Sequence, residues 1–178
     1  MTKRNLYDLD PGDQAPSVVR MIVEIPKGSS NKYEYDADLQ LFRVDRPLYV
    51  PLNYPGEYGF IPGTLSEDGD PLDILSLVSE PSYPGIVLLA RPLGVLDLID
   101  RGQRDQKVLA AADKDPRFDE VRSVDQVWSH SLREIEEFFA IYKKLEGEEV
   151  NVKGWRGLAA ARSLITCCRE RYLKAHPA

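Results

Sequence analysis

Three aspartates lie within six consecutive positions of the stretch SEDGDPLDIL, residues 66–75, which then becomes apolar. They are Asp68, Asp70 and Asp73. Two like charges about 4 Å apart cost about 4 kcal/mol at an effective dielectric constant near 20, so the cluster predicts a bound cation. Oxygen ligands with no histidine or cysteine nearby favour Mg²⁺, Ca²⁺ or Mn²⁺ over Zn²⁺.

The spacing of these aspartates favours a cation site in a turn and argues against a helix-loop-helix calcium site. Asp68 and Asp70 are two residues apart and would share one face of an extended chain. The glycine and the proline that flank Asp70 are turn formers that can bring Asp73 back toward them. A helix-loop-helix calcium loop does not fit, because Asp73 stands where that loop needs glycine. Isolated acidic residues in turns are usually solvated, so the prediction depends on the cluster.

Further acidic, basic and phenolic residues accompany this cluster. Asp100 and Asp105 lie between two predicted strands, and Glu24 and Glu34 lie in the first strands. The basic and phenolic candidates are Lys32, Arg46, Tyr58, Lys107, Tyr142 and Lys143. Each has an ordinary alternative, since a single lysine is usually solvated and Tyr142 falls on the apolar stripe of a helix. A cluster of carboxylates that binds metal ions, with Lys, Arg and Tyr donors nearby, is typical of phosphoryl transfer, where metal ions activate water.

Composition and charge disfavour several classes of protein. The 178 residues carry 23 Lys and Arg against 29 Asp and Glu, and the net charge of −6 disfavours nucleic-acid binding. The two cysteines, Cys167 and Cys168, are adjacent and predict no disulfide framework. The chain shows no apolar signal segment and no apolar run that could span a membrane. We expect a cytoplasmic protein with no membrane or nucleic-acid partner, and a single domain over residues 1–178 in which residues 1–17 form a polar arm.

Hydrophobic patterning predicts the elements that position these residues. Strands are predicted at 18–26, 32–36, 39–44, 73–79, 85–99 and 105–111, with an irregular Pro/Gly-rich stretch at 47–63. Helices are predicted at 131–147 and 157–176. A capping box of Ser131 and Glu134 would start the first helix, Gly147 would end it, and its apolar face would comprise residues 132, 135, 138, 139, 142 and 145. We expect an α+β fold, a small closed antiparallel β-barrel of about five strands, OB-like, with two C-terminal helices packed alongside.

Five blocks of the sequence resemble the family I soluble inorganic pyrophosphatases, in the order found in that family. EDGDPLDIL resembles the signature stretch, VEIPKGSSNKYEYD the opening strand pair, and VDRPLYVPLNYPGEYGFIPGTL the block before the signature. GVLDLIDRGQRDQKVLA resembles the second acidic turn, and IEEFFAIYKKLEGEEVNVKGW the helix and its exit. The similarity runs from about Glu24 to Trp155, and five motifs in order make it specific.

The resemblance implies Mg²⁺-dependent hydrolysis of pyrophosphate to two phosphates by direct attack of water, with Asp70 as the general base. It implies that Asp68, Asp73 and Asp105 hold the main activating Mg²⁺, and that Asp73 is shared with a second ion. The remaining implied ligands are Asp100, together with Asp105, for an ion that arrives with substrate, and Glu24 and Glu34 at the acidic rim. The implied phosphate-binding residues are Lys32, Arg46, Tyr58, Lys107, Tyr142 and Lys143. Mn²⁺ and Co²⁺ are implied substitutes, and the implied assembly is a homo-oligomer, a hexamer in short bacterial-type chains.

Two residues depart from the family pattern. Glu57 stands where many relatives carry asparagine, and Arg101 stands where some carry an acidic residue. The hypothesis is that either residue shifts the metal affinity or the pH optimum. Magnesium activation curves of the Glu57→Asn and Arg101→Glu variants test it.

Two other functions stay open at the level of the residues. A related hydrolase would act on nucleotides, with tyrosines stacking on the base, and phosphate release from ATP against pyrophosphate discriminates the two. A small barrel could instead bind a single-stranded oligonucleotide or a partner protein. Strands that carry Glu24 and Glu34 would repel a phosphate backbone, and that function leaves the aspartate cluster unexplained.

Overall fold

The computed structural model describes residues 5–177, which form eight β-strands, two α-helices and short 3-10 turns. The strands are β1 (Val19–Ile25), β2 (Asn31–Asp36), β3 (Leu41–Pro47), β4 (Glu57–Ile61), β5 (Leu72–Leu77), β6 (Val87–Asp100), β7 (Gln103–Ala112) and β8 (Val150–Arg156). The helices are α1 (Ser129–Ile141) and α2 (Leu158–Ala175).

Five strands close into a ring. The order is β1-β4-β5-β7-β6, and β6 pairs back with β1, while β8 extends the sheet beyond β6. β2 and β3 form a separate hairpin. The predicted α+β fold, with about five strands in a closed arrangement and two C-terminal helices, is confirmed. One detail differs, because β5 and β7 pair in parallel, so the ring is not antiparallel throughout.

Both faces of the ring are covered, which explains the almost continuous apolar runs of its strands. In β5, Leu75 belongs to the buried cluster that includes Phe139 of α1, whereas Ile74 belongs to the cluster that includes Ile165 of α2. Successive side chains of a strand point to opposite faces, so each helix covers one face. Across residues 5–177, no helix combines the length and apolar character needed to cross a membrane.

Several predicted element boundaries were wrong. β4 lies inside the stretch 47–63 that was predicted to be irregular, and β8 was not predicted. α1 begins at Ser129 with Trp128 as its N-cap and no side-chain cap, so the predicted capping box at Ser131 is not used. α1 also ends earlier than predicted, and a 3-10 turn (Lys144–Glu146) then leads to Gly147, whose φ of 79° is left-handed. Leu145 in that turn is 64% exposed and does not belong to the apolar face.

Gly59 allows β1 and β4 to approach each other closely. It pairs with Val23, and a β-carbon at position 59 would lie 1.9 Å from the carbonyl oxygen of Ile22. We expect Gly59→Ala to lower the free energy of unfolding by about 2 kcal/mol, because the two strands must separate to admit the methyl group. Urea denaturation measures this change. Gly157→Ala is the control, since a β-carbon there meets nothing within 4 Å, and an equal loss in both variants would contradict the prediction.

Candidate functional site

The acidic residues singled out by the sequence converge on one open cavity of about 400 Å³. Its walls come from β1, β2, β4, β5, the ends of β6 and β7, the loop before β5 and the residues that follow α1. The predicted site residues that line it are Glu24, Lys32, Glu34, Tyr58, Asp68, Asp70, Asp73, Asp100, Asp105, Lys107, Tyr142 and Lys143. Of the predicted site residues, Arg46 alone is not among the lining residues.

A tight loop at residues 66–70 presents Asp68 and Asp70. The amide of Ser66 donates a hydrogen bond to the carbonyl oxygen of Asp70, at 2.7 Å, and the amide of Asp70 donates to Oδ1 of Asp68, at 3.1 Å. Gly69 has a φ of 95°, a conformation that glycine adopts without strain. The chain then enters β5, where Asp73 reaches the cavity from its second position.

A hairpin turn positions the second acidic pair. Asp100 ends β6, Asp105 lies in β7 opposite Leu98, and two residues with positive φ, Arg101 and Gly102, make the turn. Because Asp105 and Lys107 are two residues apart on β7, they lie on the same face of the strand.

Lys107 is the central cation of the cavity. Its side chain is 7% exposed, and its Nζ atom makes a short contact with Oδ2 of Asp73 and lies 2.7 Å from Oδ1 of Asp105. The ammonium group also lies 5.8 Å from the ring centroid of Tyr58. Burial alone would lower the pKa of Lys107, but the neighbouring Asp73, Tyr58 and Asp105 raise it well above its usual value. Lys107 is therefore a permanently charged bridge between two carboxylates.

Two further lysines neutralise carboxylates at the rim. Nζ of Lys143 lies 2.5 Å from Oδ2 of Asp100 and 3.6 Å from Glu148. Nζ of Lys32 lies 2.5 Å from Oε1 of Glu34. The lining residues thus include seven carboxylates and three lysines, an excess of four negative charges when all are ionised.

Burial, together with this excess charge, raises the pKa values of the carboxyl groups of Glu24 and Asp70. Burial raises the pKa of Glu24 to about 8, against a hydrogen bond from the amide of Tyr35, and Asp73 adds to the rise. Burial and the neighbouring Asp68 and Asp73 raise the pKa of Asp70. Each raised pKa reflects a free-energy cost of ionising the carboxyl group, and a cation bound nearby would offset that cost.

The donors of the cavity fit Mg²⁺. The lining residues contain no histidine or cysteine, and hard oxygen donors suit Mg²⁺, Ca²⁺ or Mn²⁺. Oδ1 of Asp100 is buried and has no hydrogen-bond partner within residues 5–177, so it is free to coordinate a cation. Among the same residues, no group of three Asp, Glu, His or Cys side chains lies close enough together to coordinate one metal ion in this arrangement. Ammonium groups such as that of Lys107 stand between the carboxylates and would have to move aside.

Arg46 lies beside Lys32 across the β2–β3 hairpin rather than in the cavity wall. Its Nη2 atom lies 2.7 Å from each carboxylate oxygen of Glu146, in the turn after α1. Its Nη1 atom is buried and, within the described residues, has no hydrogen-bond partner. It lies 3.6 Å from Oδ2 of Asp45, with which it forms an ion pair.

The sequence analysis missed Tyr7, which comes from the polar arm and lines the cavity. Its ring packs edge-on against Tyr35 and Phe60, and its hydroxyl donates to the carbonyl oxygen of Tyr35 at 3.0 Å. No local pattern marks this residue, because its place depends on tertiary contacts. Residues 1–4 of the predicted arm lie outside the described residues.

Comparisons with known proteins identify the family of the chain. The family model for inorganic pyrophosphatase matches residues 21–173. The chain belongs to the inorganic pyrophosphatase family. It is 47% identical over 155 residues to the inorganic pyrophosphatase of Nostoc sp., covering 87% of this chain and 92% of that one. It is 48% identical over 157 residues to the enzyme of Halalkalibacterium halodurans, covering 88% and 96%.

A solved structure extends this likeness to the fold. The inorganic pyrophosphatase from Thermus thermophilus has a TM-score of 0.93 and 45% identity, and the match covers 95% of this chain and 99% of that one. The predicted resemblance to the inorganic pyrophosphatases, and with it the prediction that the chain is an enzyme, is confirmed.

In this member of the inorganic pyrophosphatase family, Glu57 points away from the cavity. It is fully buried, and its carboxylate accepts hydrogen bonds from the amide and the hydroxyl of Ser82, both at 2.8 Å, and from the amide of Lys27 at 3.3 Å. Arg101, the other departure, is exposed and pairs with Glu148. These contacts favour a structural role for Glu57 over the hypothesis that it tunes metal affinity.

We expect Glu57→Asn to lower the free energy of unfolding by about 2 kcal/mol, because the shorter side chain leaves the half-buried amides of Ser82 and Lys27 unpaired. The magnesium activation curve should stay unchanged. Thermal unfolding and phosphate release measure the two effects, with the exposed Glu80→Asn as the control. A shifted activation curve at unchanged stability would restore the original hypothesis.

Proposed function

We propose that this protein hydrolyses inorganic pyrophosphate to two phosphates, with Mg²⁺ as cofactor and Asp70 as general base. The observation that carries the proposal is a single cavity of about 400 Å³ that gathers seven carboxylates, three lysines and three buried tyrosines, Tyr35, Tyr58 and Tyr142. A small, highly charged substrate that arrives with metal ions suits these walls better than an apolar one does. Family membership supports the same reaction.

Three properties support Asp70 as the base. Asp70 lines the cavity and is accessible to solvent. Partial burial and the neighbouring carboxylates Asp68 and Asp73 raise the pKa of its side chain. The 2.7 Å hydrogen bond from the amide of Ser66 to the carbonyl oxygen of Asp70 closes the loop that carries it. A base whose pKa is closer to neutrality accepts a proton more readily during the reaction. Asp70 would take the proton of the attacking water, and no side chain would bond to phosphorus.

The other carboxylates would hold the metal. Asp68, Asp73 and Asp105 would hold the first Mg²⁺, with Asp73 shared by a second ion, while Asp100 and Asp105 would hold an ion that enters with substrate. Glu24 and Glu34 would form the acidic rim. When bound, Mg²⁺ neutralises phosphate charge and lowers the pKa of the attacking water. Mn²⁺ and Co²⁺ remain the expected substitutes.

The cations and phenols would bind the two phosphates. Lys107 and Lys143 now pair with the carboxylates of Asp73, Asp105 and Asp100. With those carboxylates occupied as metal ligands, the ammonium groups of Lys107 and Lys143 would be free to bind phosphate oxygens. The complete proposed set is Lys32, Arg46, Tyr58, Lys107, Tyr142 and Lys143.

Phosphate release from pyrophosphate and from ATP, each with saturating Mg²⁺, tests the substrate. We expect pyrophosphate to be cleaved at least about a hundredfold faster, because seven carboxylates and three lysines line the cavity, and such groups bind metal ions and phosphates rather than a nucleoside. Comparable rates would favour the nucleotide hydrolase. Binding of a single-stranded oligonucleotide without hydrolysis of either compound would favour the binding module.

The homo-oligomer, a hexamer by resemblance, is part of the proposal. The apolar side chains of Leu41 and Val87 are 63% and 51% exposed. The ring of Phe42 lies beside Gly85, so the start of β3 and the segment that leads into β6 are neighbours on the surface. Exposed apolar patches often mark contacts between proteins. Light scattering after gel filtration should give about six times the 20.1 kDa chain mass; a value equal to one chain would contradict it. The cytoplasmic location stays a prediction.

A further inference from the structure

The loop that carries Asp68 and Asp70 is tied at its start to the C-terminal half of α2. The amide of Leu65 donates a hydrogen bond to the carbonyl oxygen of Cys168, at 2.9 Å. In the opposite direction, Nη1 of Arg171 donates to the carbonyl oxygen of Leu65, at 2.7 Å. One residue before the loop is therefore held by both its amide and its carbonyl group.

Arg171 also contacts the surroundings of this attachment. Its Nη1 atom lies 3.8 Å from Sγ of Cys168, and its Nη2 atom lies 3.8 Å from Oε1 of Glu67. The pair with Glu67 is exposed and contributes little by itself, since the carboxylate group is 67% exposed. The bond to the backbone of Leu65 is the one that fixes the position of the chain.

The packing beside this attachment is incomplete. A small cavity of about 30 Å³ separates the loop from α2, and it is lined by Asp68, Asp73, Cys168 and Arg171 among others. A space of this size offers few van der Waals contacts to hold the loop in place. Polar contacts join the loop to α2 here: the two hydrogen bonds of Leu65, and the approach of Oγ of Ser66 to Sγ of Cys168 at 4.0 Å.

A short chain of hydrogen bonds connects Arg171 to the proposed base. Arg171 donates a hydrogen bond to the carbonyl oxygen of Leu65. The amide of the next residue, Ser66, donates to the carbonyl oxygen of Asp70, and the amide of Asp70 donates to the carboxylate of Asp68. Arg171 itself is not among the residues that line the 400 Å³ cavity. Its effect on the reaction would pass through the loop backbone.

We propose that Arg171 is a positioning residue that holds the 66–70 loop so that Asp70 faces the attacking water. This inference rests on the proposed function, since it assumes that Asp70 is the base. The phosphate-binding residues lie on other elements, and the loop otherwise carries only Asp68 among the proposed metal ligands. At saturating Mg²⁺, displacement of the loop would therefore slow the chemical step more than it weakens substrate binding. Arg171 does not touch the substrate.

Kinetics of Arg171→Met test this assignment against Arg162→Met, an exposed arginine on the same helix. We expect Arg171→Met to lower kcat at least about tenfold at saturating Mg²⁺ and to leave KM for pyrophosphate within about twofold, because small misplacements of a reacting group are costly. Arg171→Lys, which can still donate to the carbonyl of Leu65, should recover most of the loss. Wild-type kcat in Arg171→Met, or equal losses in Arg171→Met and Arg162→Met, would overturn the assignment.

Hydrogen exchange of the metal-free protein provides a readout that needs no activity. The amides of Leu65 and Ser66 should exchange at least about tenfold faster in Arg171→Met than in Arg162→Met, while amides of β6 stay unchanged. Unchanged exchange at these two amides would overturn the inference even if kcat falls. If the wild type fails to cleave pyrophosphate but exchange responds as expected, the proposed function fails and the anchoring of the loop by Arg171 stands.

Discussion

The Asp70→Asn variant is expected to release phosphate from pyrophosphate about a thousandfold more slowly than the wild type, because general-base catalysis contributes about 10² to 10⁴. Asparagine has the shape of aspartate but cannot accept the proton. The loop should keep its form, since the amide of Asp70 donates to Asp68 and its carbonyl accepts from Ser66, and both groups belong to the backbone of residue 70. Steady-state phosphate release at saturating Mg²⁺ gives the comparison.

Mg²⁺ binding and stability separate loss of the base from loss of the site. Isothermal titration should show at least one Mg²⁺ bound by Asp70→Asn with an affinity within about threefold of the wild type, and Tm should change little. Asp119→Asn, an exposed aspartate far along the chain, is the control and should keep full activity. Turnover near that of the wild type in Asp70→Asn would remove Asp70 as the base. Loss of Mg²⁺ binding in proportion to activity would make it a ligand instead.

The Lys107→Met variant is expected to lose about 2 kcal/mol of folding free energy in EDTA, because removal of the buried ammonium group leaves two partly buried carboxylates uncompensated. Asp73 and Asp105 both depend on the ammonium group of Lys107, and their side chains are 32% and 17% exposed. Mg²⁺ should restore part of this loss, since a cation between the two carboxylates replaces the missing charge. Turnover should still fall about a hundredfold, because a cation that stabilises phosphate charge is gone.

Thermal unfolding with EDTA and with Mg²⁺ measures this effect. The increase in Tm on adding Mg²⁺ should be larger in Lys107→Met than in the wild type and in the control Lys153→Met, whose lysine is exposed on β8. Wild-type stability of Lys107→Met in EDTA would mean that the ion pairs contribute nothing. Equal Mg²⁺ stabilisation in all three proteins would contradict the metal sites at Asp73 and Asp105.

The secondary structure was predictable from the sequence in segments where a single hydrophobic pattern runs over the whole element. The strands β1, β6 and β7 and the helix α2 carry long apolar patterns, and each was placed within a few residues of its bounds, whereas α1 ends at Ile141, well before the predicted end. β4 was missed because its surroundings are rich in proline and glycine, whereas its strand form comes from pairing with β1 and β5. Tertiary pairing thus overrides local propensity.

The candidate site was predictable as a set of residues but not as a set of contacts. The spacing of Asp68, Asp70 and Asp73 predicted a cation site, the residue types marked the other members as candidates, and the resemblance supplied their individual roles. Neither predicts that Lys107 bridges two carboxylates or that Tyr7 lines the cavity. Such contacts join residues far apart in the chain, and no local pattern records them.

The most direct measurement is phosphate release from pyrophosphate by the purified wild-type protein, with saturating Mg²⁺ and then with excess EDTA. The account predicts rapid turnover with Mg²⁺ that stops in EDTA and returns when Mg²⁺ is restored. No turnover with Mg²⁺, in a protein that is folded and binds the ion, would contradict the central claim. The acidic cavity would then hold cations without performing hydrolysis.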